Sequence, residues 1–108
     1  MNSRRMAPKK PKAELIEELA DLIGLREVPR MSTGSTEPKE IFIAINEALG
    51  LGLDTKGLTK PQLAARISAS AGLPWGPHHE SRGGTVTREG IQQVVNAVRF
   101  FLGVTPNQ

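Results

Sequence analysis

The chain has 108 residues, 38% of them hydrophobic, a formal net charge of +3 and no cysteine. That length suits one small domain with a single core, and the absence of cysteine removes disulfide frameworks, thiolate zinc sites and cysteine nucleophiles, so a reducing cytoplasmic setting is expected. No apolar run approaches the ~20 residues of a membrane helix, and the opening MNSRRMAPKKPK lacks the apolar stretch of a signal peptide.

The charge is segregated. Residues 1–12 hold five basic groups (Arg4, Arg5, Lys9, Lys10, Lys12) and no acid; residues 13–54 hold three basic and nine acidic groups; residues 55–108 hold six basic and two acidic groups. A basic tail and a basic C-terminal half on either side of an acidic segment favour a polyanion partner on particular faces.

Residues 1–12 read as a disordered basic tail, being polar, charged and proline-containing. From Ala13 the pattern changes. Leu15, Ile16, Leu19, Leu22 and Ile23 recur at helical spacing, with Glu14, Glu17, Glu18 and Asp21 on the other face, and Gly24 ends this first helix. The segment LREVPRMSTGST, residues 25–36, has no periodicity and reads as a loop. A second helix is expected from Pro38, since a proline is tolerated in the first turn. Ile41, Phe42, Ala44, Ile45, Ala48 and Leu49 form its apolar stripe, and Gly50 and Gly52 stop it.

The third helix has an explicit start. Thr59 followed by Gln62 has the form of a capping box, and Leu58 with Leu63 occupies the positions of a hydrophobic staple. Leu63, Ala64, Ile67 and Ala71 supply its buried stripe, with Gly72 as the stop. The loop LPWGPHHESRGG follows and leads to Thr87, where Val86 and Ile91 repeat the staple spacing. Ile91, Val94, Val95, Val98, Phe101 and Leu102 predict a strongly amphipathic fourth helix that ends at Gly103, before a fraying VTPNQ. The expected fold class is therefore all-α: one compact four-helix domain over residues 13–103, with a short β-hairpin inside residues 73–87 left open. Gly24-Leu25, Gly52-Leu53 and Gly72-Leu73 each precede a loop and a new helix. They read either as a degenerate repeat or as ordinary glycine stops.

Three stretches carry candidate chemistry. The first is GLDTKGLTKPQLAARI, residues 52–67, where Lys56, Gly57, Thr59 and Lys60 surround a helix start and Arg66 follows. Helix N-termini present unpaired amides and a positive dipole end, which suit a phosphate. Lys60 and Arg66 are six positions apart, far around a helix from each other, so they would reach different phosphates. The second is SRGGTVTREG, with Arg82, Thr87 and Arg88, where two glycines could shape an anion-binding concavity or simply a flexible capped loop. It lacks the Gly-Lys-Ser/Thr ending of a nucleotide-triphosphate loop. The third is Trp75 with His78, His79 and Glu80. Trp75 suits either base stacking or the edge of a small core. Two adjacent histidines with no further histidine or cysteine make a poor metal site, and they read as loop surface.

Gly52-Leu53, Gly57, Lys60, Leu63 and Arg66-Ile67, preceded by the helix of Ile41, Ile45 and Leu49, resemble the SAP family of small DNA-binding helix-loop-helix modules over residues 38–71. One extra residue between the loop glycine and the lysine, and Pro61 in the first turn, depart from that pattern. The resemblance implies a helix, an extended loop and a second helix that together contact duplex DNA.

These readings converge on a nucleic-acid-binding module. Its expected partner is double-stranded DNA, met through phosphates by Lys56, Gly57, Thr59, Lys60, Arg66, Arg82, Thr87 and Arg88. No enzyme activity, cofactor, metal or membrane contact is expected. By analogy, such a module would be nucleoid-associated or the DNA-targeting part of a bacterial nuclease or restriction-modification system. The competing expectation is a protein-interaction domain using the acidic faces of the first two helices or the apolar surface of the fourth. Phe101 and Leu102 discriminate: burial fits a monomer, and exposure marks an interface.

Overall fold

A computed structural model describes residues 11–24 and 38–103. These form four α-helices: α1 (Lys12–Leu22), α2 (Pro38–Leu49), α3 (Lys60–Ser70) and α4 (Arg88–Leu102), with a 3₁₀ turn at Pro77–His79 before α4. No strand occurs among the described residues, so the all-helical architecture stands. The expected tail (residues 1–10), the loop at 25–36 and the fraying 104–108 lie outside the described residues.

α4 is the hub. It packs on α1, on α3 and on the 3₁₀ turn, while α2 packs on α3 and more lightly on α1. The reason lies in its sequence: Ile91, Val94, Val95, Ala97 and Val98 are all fully buried, which gives α4 an apolar arc wide enough for several neighbours. Leu15, Ile16, Leu19 and Ala20 of α1, Ile41, Phe42 and Ile45 of α2, and Leu63, Ala64 and Ile67 of α3 complete one core.

Two stripes are narrower than their spacing predicts. Ala44 is only half-buried and Ala48 is exposed, because α2 has fewer neighbours than α4. At the end of α4, Phe101 is half-buried and Leu102 is 42% exposed, beyond the reach of the flanking helices. α1 also starts one residue earlier than expected, so Lys12 belongs to the helix and not to the tail.

Gly50 and Gly72 terminate α2 and α3 by the same device. Each has a positive φ, +63° and +77°, which glycine adopts without the Cβ penalty. Leu51 and Leu73 then donate their N–H back to the carbonyls of Asn46 and Ser68, at 3.1 and 3.0 Å, closing a Schellman motif. Of the recurring glycine-leucine pairs, Gly72-Leu73 is a helix stop and Leu25 of Gly24-Leu25 lies outside the described residues, while the pair that stops α2 is Gly50-Leu51. Gly52-Leu53 lies in the loop beyond. The hairpin left open within residues 73–87 reduces to a single antiparallel bridge between Glu80 and Val86.

Candidate nucleic-acid interface

The entrance to α3 is built by local bonds. Asp54 accepts the Lys56 N–H at 3.1 Å, and the Leu58 N–H reaches the Thr55 carbonyl at 3.5 Å, forming a turn with Gly57 at φ +73°. The capping box is present in full: the Thr59 hydroxyl oxygen accepts from the Gln62 N–H at 3.3 Å, and the Gln62 side chain accepts from the Thr59 N–H at 2.9 Å. This limits what the helix end can offer an anion. Pro61 has no N–H and the Gln62 amide is occupied, so Lys60 carries the one first-turn amide that these bonds leave over. Side-chain charge, more than an amide cradle, is the available chemistry here.

Lys56, Gly57, Thr59 and Arg66 are exposed, and Lys60 is half-buried. Lys12, at the start of α1, lies close enough to feel the Lys60 charge: partial burial first, and that like charge second, lower its pKa below the usual lysine value. The tertiary structure therefore adds Lys12 to the basic group around the α3 entrance, a neighbour that its position in the chain does not suggest.

The loop that carries these residues is anchored from behind. The Asn46 side chain, on α2, accepts the Leu53 N–H at 2.9 Å and donates to the Leu53 carbonyl at 3.0 Å. At the other end of α3, the fully buried Ser68 donates its hydroxyl to the Leu73 carbonyl at 2.8 Å. Neither residue carries a sequence signal for this role beyond being a polar side chain in the last turn of its helix.

The second helix start is arranged differently. The Thr87 hydroxyl donates to the His78 carbonyl at 2.7 Å and accepts from the Gly90 N–H at 3.2 Å, and the Thr87 N–H reaches the His79 carbonyl at 3.1 Å. Thr87 is thus committed to holding α4 against the 3₁₀ turn, and its polar atoms are not offered to a ligand. The SRGG turn also closes on itself. The Gly84 N–H reaches the Ser81 carbonyl at 3.2 Å and the Ser81 and Thr85 hydroxyls share a bond of 2.6 Å, so it is no open nest of amides. Arg82 is exposed, whereas Arg88 is half-buried with Glu89 3.6 Å away.

Trp75 covers the core edge. It is half-buried, its ring stacks on His79 at 4.9 Å, and its indole N–H donates to Glu80 at 2.8 Å. His79 is not loop surface: it is 8% exposed and its Nδ1 accepts the Gly76 N–H at 2.8 Å. His78 is exposed. Among the described residues, no group of three His, Cys, Asp or Glu side chains is placed to hold a metal ion.

The two helix starts do not form one site. Gln93, in the second turn of α4, donates to the carbonyl of Pro74, and Gly90 abuts His79, so the start of α4 lies where the chain leaves α3. The 11 residues of α3, about 16 Å at 1.5 Å per residue, separate that end from Lys60. Comparisons with protein-family models, with curated proteins and with solved structures find no match for this chain.

Proposed function

We propose that the chain is a nucleic-acid-binding module that holds duplex DNA through phosphate contacts, with Lys56 and Lys60 at the α3 entrance as its principal anchor. One observation carries this reading. Among the described residues, Lys56, Lys60, Arg66 and Arg82 have no acidic partner, whereas both acids of residues 55–103 are engaged, Glu80 by Trp75 and Glu89 by Arg88. The unneutralised charge of this half of the domain is positive; the exposed acids Glu14, Glu17, Asp21, Glu40 and Glu47 stand on α1 and α2, and the exposed Asp54 of the loop before α3 accepts the Lys56 N–H.

The helix-loop-helix of residues 38–71 supports the SAP-like reading. Leu63 and Ile67 face the core, Lys60 and Arg66 face outward, and Gly57 makes the loop turn. Arg82 would supply a second phosphate contact at the far end of α3. Binding through so few phosphates is salt-sensitive, log K falling by about 0.9 per log unit of salt for each phosphate neutralised. An amide chemical-shift titration with a short duplex at low and moderate salt tests the proposal. Salt-sensitive shifts at residues 56–66 support it, and no shifts at either salt concentration remove it.

A second reading follows from the end of α4, where Phe100 is 66% exposed and Leu102 42% exposed. Such exposure of large apolar side chains suits a protein interface. Sedimentation of the chain across a concentration series tests for self-association there, with Phe100→Ser as the control that should abolish it.

A further inference from the structure

We infer that α3 is the helix presented to a DNA groove and that Arg66 reads base edges, while Lys56 and Lys60 hold phosphates at the groove's rim. The inference rests on the DNA-binding reading above and assigns a specificity-determining residue within it.

The outward faces of the helices differ in ways that select α3. α4 packs on α1, α3 and the 3₁₀ turn, and its exposed positions Glu89, Asn96, Phe100 and Leu102 include an acid and no base. The outward faces of α1 and α2 carry acids, which a phosphate backbone repels. α3, sequence KPQLAARISAS, contains no acid, and its charges are Lys60 and Arg66. It buries Leu63, Ala64 and Ile67 and leaves Gln62, Arg66, Ala69 and Ser70 exposed in one stripe.

Within that stripe Arg66 carries the one charged set of donors, beside the uncharged side-chain amide N–H groups of Gln62. The Gln62 carbonyl oxygen is taken by the capping box, and the Ser70 hydroxyl donates to the Arg66 carbonyl at 2.9 Å. Among the described residues, the Arg66 guanidinium has no acidic partner. Its neighbours on the surface, Ala69 and Ser70, are small, so nothing bulky holds the guanidinium away from a groove floor. Lys60 lies about 9 Å back along the axis and a third of a turn around. A helix seated in the major groove with Lys60 at the backbone therefore directs Arg66 inward. A planar fork of donors matches the O6 and N7 acceptors of guanine, a pairing that a lysine's point charge reproduces less well. The capping box at one end of α3 and the Ser68–Leu73 bond at the other hold the helix as a rigid platform.

The test is selection of duplexes from a random-sequence pool by the full chain, followed by anisotropy titrations of the selected and a scrambled duplex with wild type, Arg66→Lys and Lys56→Ala. Wild type is expected to enrich duplexes that share a guanine at one position. Arg66→Lys should keep the scrambled-duplex affinity within about twofold and lose about tenfold in preference for the selected one. Lys56→Ala should weaken both duplexes equally. A preference unchanged in Arg66→Lys, or duplex binding with no enrichment, overturns the inference and leaves phosphate binding standing. No binding to any duplex overturns both.

Discussion

The Asn46 side chain grips the backbone of Leu53 at both its N–H and its carbonyl, at 2.9 and 3.0 Å. The amide of a residue in the last turn of α2 thereby fixes the loop that delivers Lys56 and Lys60. Truncation leaves both Leu53 groups without these bonds in a half-buried position, so Asn46→Ala is expected to lower stability by about 2 kcal/mol. Urea unfolding measures the loss, and hydrogen exchange should show faster exchange at residues 50–59 with α4 amides less affected.

Gly90 is where α4 meets the 3₁₀ turn. A Cβ built there would lie 2.2 Å from the His79 carbonyl oxygen and 2.5 Å from a Val86 methyl carbon. Backbone cannot give way cheaply at that distance, so Gly90→Ala is expected to destabilise by about 3 kcal/mol. The control is Gly83→Ala, whose added carbon meets only the Ser81 hydroxyl at 3.8 Å. It should leave the melting temperature within a few degrees.

Arg99 of α4 pairs with Glu18 of α1, and both side chains are more than four-fifths buried. The Arg99 Nε is itself buried without a hydrogen-bond partner. Glu18→Ala would leave the guanidinium without this carboxylate in a mostly closed site, which typically costs about 3 kcal/mol or more. Thermal unfolding should show a drop of 10 °C or more, at roughly 4–8 °C per kcal/mol for a domain of this size.

Lys12 gives a pH dependence with a definite sign. Its folded-state pKa is lowered, by burial and then by the Lys60 charge, so in the alkaline window between the folded and unfolded values the unfolded state binds more protons. Stability from this group therefore rises as pH rises through that window, and the charged form is a liability at neutral pH. Lys12→Met should melt higher than wild type at pH 7, and the difference should shrink toward pH 11. A constant difference across that range would show that Lys12 contributes only through packing.

Much of the fold is local and was legible in the residue order. Thr59 and Gln62, Gly72 with Leu73, and the Ile91–Val98 stripe each specify structure through neighbours within a few positions, where helix geometry fixes which atoms meet. The candidate cations could be found in the same way, because charge and proximity to a helix start are visible in sequence. Their availability could not. Thr59 and Thr87 look alike as N-caps, yet Thr87 spends its hydroxyl proton on the His78 carbonyl, nine positions away.

By itself, the sequence determined four amphipathic helices, their starts and stops, and a segregation of charge between the two halves of the chain. The tertiary structure alone decided that Lys12 comes within reach of the Lys60 charge, that Glu18 meets Arg99 across 81 residues, that His79 is buried and that α4 is the helix on which α1 and α3 pack. Those outcomes depend on which helix faces pack together. Packing is chosen by the fit of whole surfaces, so no spacing within a single helix encodes it.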